Sequence, residues 1–177
     1  MRPPRTELNL TEWIVLALAG EAPTHGWTVV RALRPDSPLG EVWSSSGPLV
    51  YRAVSRLQDA GLLRPVGIAE GHGANRIMLE ATPAGLEQVR EWLLEPVEHV
   101  RDVRTVLLVK LLLLERRGTD RALLVERQRK RLGPVATALA ERAAAATGPD
   151  RIVAEWRALN ADAVMRFLEA VDPVRVP

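Results

Sequence analysis

Residues 44–63 read SSSGPLVYRAVSRLQDAGLL, and in them Tyr51, Arg52, Ser55 and Arg56 recur at one- and three-residue steps. A guanidinium presents a planar fork of N–H donors that matches a phosphate or the O6/N7 edge of guanine, and a hydroxyl can donate to a phosphate oxygen. Ser45 and Ser46 precede them, where the first backbone N–H groups of a helix lack partners and accept a serine cap. Pro48 fits the first helical turn. Val50, Val54, Leu57 and Gly61 fall on the other side as one apolar stripe, so the polar set lies on a face that a core does not use. The plainer reading of the same residues is a solvated helix face on which Arg56 pairs with Asp59.

Other chemistry finds little support. His25, His72 and His99 are scattered without a second ligand at metal spacing. The serines lie in no G-x-S-x-G elbow, and no glycine-rich phosphate loop is present. The acids fall singly on helix faces, so the expectation is a protein that is not an enzyme and holds no metal or cofactor. The chain has no cysteine, which excludes disulfides and thiolate chemistry and fits a cytoplasmic location. Its most apolar run, TVLLVKLLLL at 105–114, is half the length a membrane span requires. Lys110 in that run reads as a surface lysine whose stem lies along the leucines. MRPPRTELNL lacks the apolar core of a signal peptide.

Net charge is +2 over 177 residues. Residues 1–94 hold nine arginines against ten acids, and residues 95–177 fifteen basic residues against twelve acids. Any attraction to a polyanion must therefore be local. Residues 44–78 carry Arg52, Arg56, Arg64 and Arg76 against Asp59 and Glu70.

The elements that would position these groups are legible. Residues 8–20 form a first helix, capped by Asn9 or Thr11, with Trp13, Ile14, Ala17 and Leu18 on one face. GWTVVRAL gives a second helix with Val29, Val30 and Leu33 inward, RPDSPLGEVW a connector, and the stretch from Ser44 a third helix. LLRPVGI and RIMLEAT read as two strands, the second alternating Ile77, Leu79 and Ala81 against Arg76, Met78 and Glu80, with AEGHGAN as the hairpin tip. Thr82 and Pro83 open a fourth helix, and Glu95-Pro96 marks a boundary. Three helical segments follow: 96–117, 119–146 with an interruption at Gly133-Pro134, and 149–171. The last aligns Ile152, Trp156, Leu159, Ala163, Phe167 and Ala170, a stripe too apolar to face water. Three helices and a hairpin are the order of a winged helix-turn-helix. The expected fold is mainly α (α+β), with that unit at 1–94 and an antiparallel helical unit at 95–177.

HGW at 25–27, VWSSSGPLVYRAVSRLQDAGLL and TPAGLEQVREWL, in this order and spacing, resemble the PadR family of bacterial transcriptional regulators. VRDVRTVLLVKLLLLERRG is similar to the start of the helical C-terminal region of its longer-tailed members. Trp27 stands where the family has tyrosine, Pro48 where glycine is common, and Leu79 where the wing ends in tyrosine. Of the wing's usual basic residues only Arg76 remains.

The resemblance implies a homodimer that binds double-stranded DNA at a pseudo-palindromic operator and represses transcription until a small, often aromatic, effector releases it. It places DNA contacts at Ser45, Ser46, Tyr51, Arg52, Ser55, Arg56 and Arg76, and pairing through Trp13, Trp156 and Phe167. Trp13 and Trp92 are the candidate walls of an effector pocket, against the plainer reading of each as core. Trp43 is expected to pack under the third helix. The alternatives are a winged-helix protein-interaction module that does not bind DNA, and a regulator of another winged-helix family such as the MarR-like one.

Overall fold

The computed structural model describes residues 7–69 and 76–172. It divides into two compact units, parted between Leu93 and Leu94.

The first unit is built around α1 (Leu10–Ala19), every residue of which from Thr11 onward is buried. Asn9 caps it in a reciprocal box: Asn9 Oδ1 accepts from Glu12 N, and Glu12 Oε2 accepts from Asn9 N. α2 (Gly26–Ala32) starts at His25, whose ring Nδ1 accepts from Thr28 N. Val29 and Leu33 are buried as expected, while Val30 is only half-buried. The segment read as a connector contains a further helix, α3 (Pro38–Val42), capped by Ser37 Oγ on Gly40 N. The expected third helix is therefore the fourth, α4 (Gly47–Asp59).

α4 buries Val50, Ala53, Val54 and Leu57, but not Gly61. That glycine lies beyond the helix at φ +69°, the left-handed conformation in which a chain leaves a helix. Ser46 occupies the cap position without making a side-chain cap, and Pro48 stands in the first turn.

β1 (Leu63–Ala69) and β2 (Arg76–Ala81) pair antiparallel, with a register shift between Pro65 and Gly67 that accommodates a proline without a ladder N–H. Thr24 adds a one-residue third strand through reciprocal bonds with Leu79. Leu79 and Ala81 are buried where the hairpin leaves the unit, whereas Ile77, on the same face, is exposed as the hairpin extends away. Residues 70–75, and with them GHGAN, lie outside the described residues, as do Arg2 and Arg5. α5 (Pro83–Leu94) follows, its Gly85 N capped by Thr82 Oγ1. A Cβ on Gly85 would sit 2.3 Å from the Leu62 carbonyl, so only glycine admits this approach.

The second unit begins as a 3-10 turn (Val100–Asp102) and a π turn (Val103–Leu107), which run into α6 (Leu108–Arg116). Lys110 is not a surface residue. It is 2 % exposed, and its Nζ donates to the Glu95 carbonyl at 2.6 Å. Gln128, fully buried, holds Val97 from both sides: its Oε1 accepts from Val97 N and its Nε2 donates to Val97 O. The segment between Glu95 and Val100 is irregular, and its backbone groups find these side chains instead of a helical ladder.

α7 (Ala122–Ala145) continues through Gly133-Pro134 rather than breaking there. Lys130 and Pro134 are both exposed, so the carbonyl that loses its partner faces water. α8 (Asp150–Ala170) packs antiparallel on α7, because Arg121 near the start of α7 donates to Val171 O and Arg129 pairs with Asp172. The seam that α8 buries is Ala154, Ala161 and Leu168, at seven-residue steps. The expected apolar stripe lies on the other side: Ile152 and Trp156 are 77 % and 67 % exposed, Leu159 is exposed, and Phe167 is half-buried.

Candidate nucleic-acid interface

At about 100° per residue, Tyr51, Ser55, Arg52 and Arg56 fan across some 140° of α4, opposite the Val50–Ala53–Leu57 seam. All four are exposed. Among the described residues the side chain of Arg52 makes no hydrogen bond or ion pair, and neither does that of Arg76. The other arginines near the hairpin differ. Arg64 is paired across the strands with Glu80, and Arg34 pairs with Asp36.

Arg56 does not pair with Asp59. Its Nη1 lies 2.7 Å from Oε1 of Glu12, the buried carboxylate of the α1 capping box. The long-range partner takes precedence because a buried carboxylate needs donors for both oxygens, whereas Asp59 is solvated. Glu12 is the residue that periodicity missed, and its signal was the N-x-x-E pattern at 9–12.

Ser46 and Ser55 are exposed as expected. Ser45 is not available to a ligand, because its Oγ is buried and has no hydrogen-bond partner. Its backbone N–H bonds to Leu33 O, which turns the side chain inward.

Tyr51 leans over the start of α2. A Cβ on Gly26 would stand 2.5 Å from Tyr51 Cε1, so this glycine makes room for the ring. Tyr51, Gln58, Trp27, His25, Arg76 and Ile77 line an open groove of about 510 Å³ between α2, α4 and β2, with no carboxylate among the described residues that line it. The site thus brings Tyr51 and Arg76 to one place and sets Arg52 and Ser55 beside them on α4.

The interface role expected of Trp13 is corrected here. Trp13 is buried in its own unit, stacked on Trp92 with ring centroids 4.9 Å apart and 4° between planes. Its burial leaves little surface for a partner to meet, and the two rings cover each other, which agrees with the plainer reading of both as core. Trp43 reaches α1, its Nε1 donating to Thr11 Oγ1 at 3.0 Å. Among the described residues no group of side chains is arranged to hold a metal ion, and no helix is long and apolar enough to cross a membrane.

The arrangement of the first unit is a winged helix-turn-helix, and a helical region follows it. No protein-family model matches the chain, and no curated protein sequence does. Among solved structures the chain is similar to Bacillus subtilis PadR in complex with operator DNA, at 16 % identity over 94 % of this chain and 99 % of that one, with a TM-score of 0.48. It is also similar to Bacillus subtilis PadR on its own, at 16 % identity over 96 % and 98 %, with a TM-score of 0.39.

Proposed function

We propose that this chain is a DNA-binding transcriptional regulator that acts as a homodimer, with α4 entering the major groove and the hairpin beside it. The observation that carries this is Arg52: a guanidinium exposed on the outward face of α4, without a partner among the described residues, between Ser55, Tyr51 and Arg56. One such helix offers few contacts, so two copies are needed. A two-fold pair would present the two α4 helices about 34 Å apart to a pseudo-palindromic operator. In this reading residues 1–94 bind DNA and residues 95–177 hold the pair, with Trp156 and Phe167 on the face that meets the partner. Occupying a site over a promoter represses it. An effector would release it by favouring an arrangement of the pair that fits the duplex less well.

The test is retardation of the DNA upstream of the chain's own gene at rising salt. Affinity should fall steeply as salt rises, with a slope set by the number of phosphates contacted. Arg52→Ala should weaken binding at least about tenfold, the loss expected for one bidentate base contact, with an unchanged circular dichroism spectrum. Equal retardation by the variant would remove α4 as the reading helix.

A second reading, a protein-interaction module, is favoured by one observation: Ile68 and Ile77, paired across the hairpin, are both exposed, and Ile77 shares the groove with Trp27. Binding to a partner protein that persists at high salt, with no retained DNA, would select it.

A further inference from the structure

Glu12 is 1 % exposed, yet it carries an ionisable carboxylate at the third position of α1. Burying a carboxylate is unfavourable unless its oxygens are satisfied, and here each has a separate task. Oε2 accepts from Asn9 N at 2.9 Å and closes the capping box. Oε1 accepts from Arg56 Nη1 at 2.7 Å. The cap alone does not require a charge, since glutamine serves the same box. What the charge adds is a hold on Arg56.

Arg56 is itself 56 % exposed, one helical turn after Arg52 on the face of α4 that carries the arginine pair. A guanidinium is a rigid planar fork, so fixing one Nη fixes the direction of the remaining N–H groups. An arginine on a free four-torsion stem must lose that freedom when it binds; one already anchored to a buried group has lost it beforehand. The Glu12 charge also offsets that of Arg56, so the contact adds direction more than long-range attraction.

We infer that Glu12 is a positioning residue for DNA recognition, holding the Arg56 guanidinium so that its outward N–H edge meets the duplex in one orientation. The inference rests on the reading of α4 as the helix that faces DNA.

The experiment uses the full chain, the tightest duplex recovered from a randomised pool, and a scrambled duplex of equal length. Glu12→Gln keeps the cap and removes the charge. It should weaken binding to the selected duplex roughly 5- to 20-fold, as expected when a directed base contact loses its geometry. It should leave binding to the scrambled duplex equal or tighter, because the protein gains one positive charge. In an Arg56→Ala background the same substitution should have no further effect. A purely structural role would instead lower both affinities together, in step with the midpoint of thermal unfolding. A wild-type ratio of selected to scrambled affinity in Glu12→Gln, or a full effect in the Arg56→Ala background, overturns the assignment and leaves the DNA-binding reading standing. Failure of the wild-type chain to enrich any duplex overturns that reading and this inference with it.

Discussion

The indole of Trp13, on α1, lies flat against the indole of Trp92, on α5, and both are buried. Stacked rings of this size bury a large area and gain about 0.5–1.5 kcal/mol beyond it. The pair therefore joins the first helix of the unit to the last. Trp92→Ala is expected to destabilise this unit by about 3–5 kcal/mol, and Trp92→Phe by less. Chemical denaturation followed by fluorescence measures it. Because Trp13 is core, Trp13→Ala should lower the unfolding midpoint by a similar amount. If it instead released monomers from a fully folded dimer, the placement of Trp13 would be in error.

Much of this architecture is legible in the residues, and the parts that are not share a cause. A cap with a proline behind it marks a true helix start at Thr82-Pro83, the same chemistry at Ser37-Pro38 starts α3, and Pro48 marks the start of α4 although Ser46 makes no side-chain cap. At five residues α3 is too short for any apolar period to show above its Pro/Gly/Ser composition. Periodicity identifies which residues share a face, not what covers it. The stripe from Ile152 to Phe167 shares one face, yet α8 packs on α7 through Ala154, Ala161 and Leu168 instead. Pairings across long sequence separations leave no period at all. Glu12 with Arg56, Gln128 with Val97, and Lys110 with the Glu95 carbonyl all belong to that class. Within the site, Tyr51, Arg52 and Ser55 were legible as an outward face, whereas the inward turn of Ser45 depends on a backbone bond to Leu33.

Ile152, Val153, Trp156 and Leu159 expose large apolar side chains along α8, an arrangement that water disfavours and that a second copy would cover. Trp156→Glu with Ile152→Glu should convert a dimer into a folded monomer, read by sedimentation velocity at micromolar concentration. The folded content should be unchanged, because neither side chain belongs to the Ala154–Ala161–Leu168 seam. A dimer that survives both charges would mean that pairing uses another face.

Pro134 stands in the middle of a continuous 24-residue helix, where it removes one backbone hydrogen bond and crowds the preceding turn. Its exposed position gives it no packing role in its own unit that would offset this. Pro134→Ala should therefore raise the stability of the second unit by about 1–3 kcal/mol, measured by urea titration of the helical circular dichroism signal. A loss of stability would show that the helix depends on the bend the proline imposes.

Gly26 and Tyr51 offer a substitution that separates fold from recognition. A methyl group at position 26 would stand 2.5 Å from Tyr51 Cε1, but the other nearby atoms belong to the same ring, which is exposed and can rotate away. Gly26 lies within α2 at an ordinary helical φ, so alanine is not strained there and is the better helix former. Gly26→Ala is therefore expected to leave the unfolding midpoint within about 0.5 kcal/mol of wild type. It should nonetheless swing Tyr51 out of its place beside Arg76 in the groove. If that ring helps to seat the duplex, affinity for the selected DNA should fall about three- to tenfold, as for one lost hydrogen bond of about 1 kcal/mol. Tyr51→Ala should match it, and the double substitution should add nothing further. Fluorescence anisotropy on the three variants decides the matter. Equal affinity in all of them would confine the contact surface to the Arg52 side of α4.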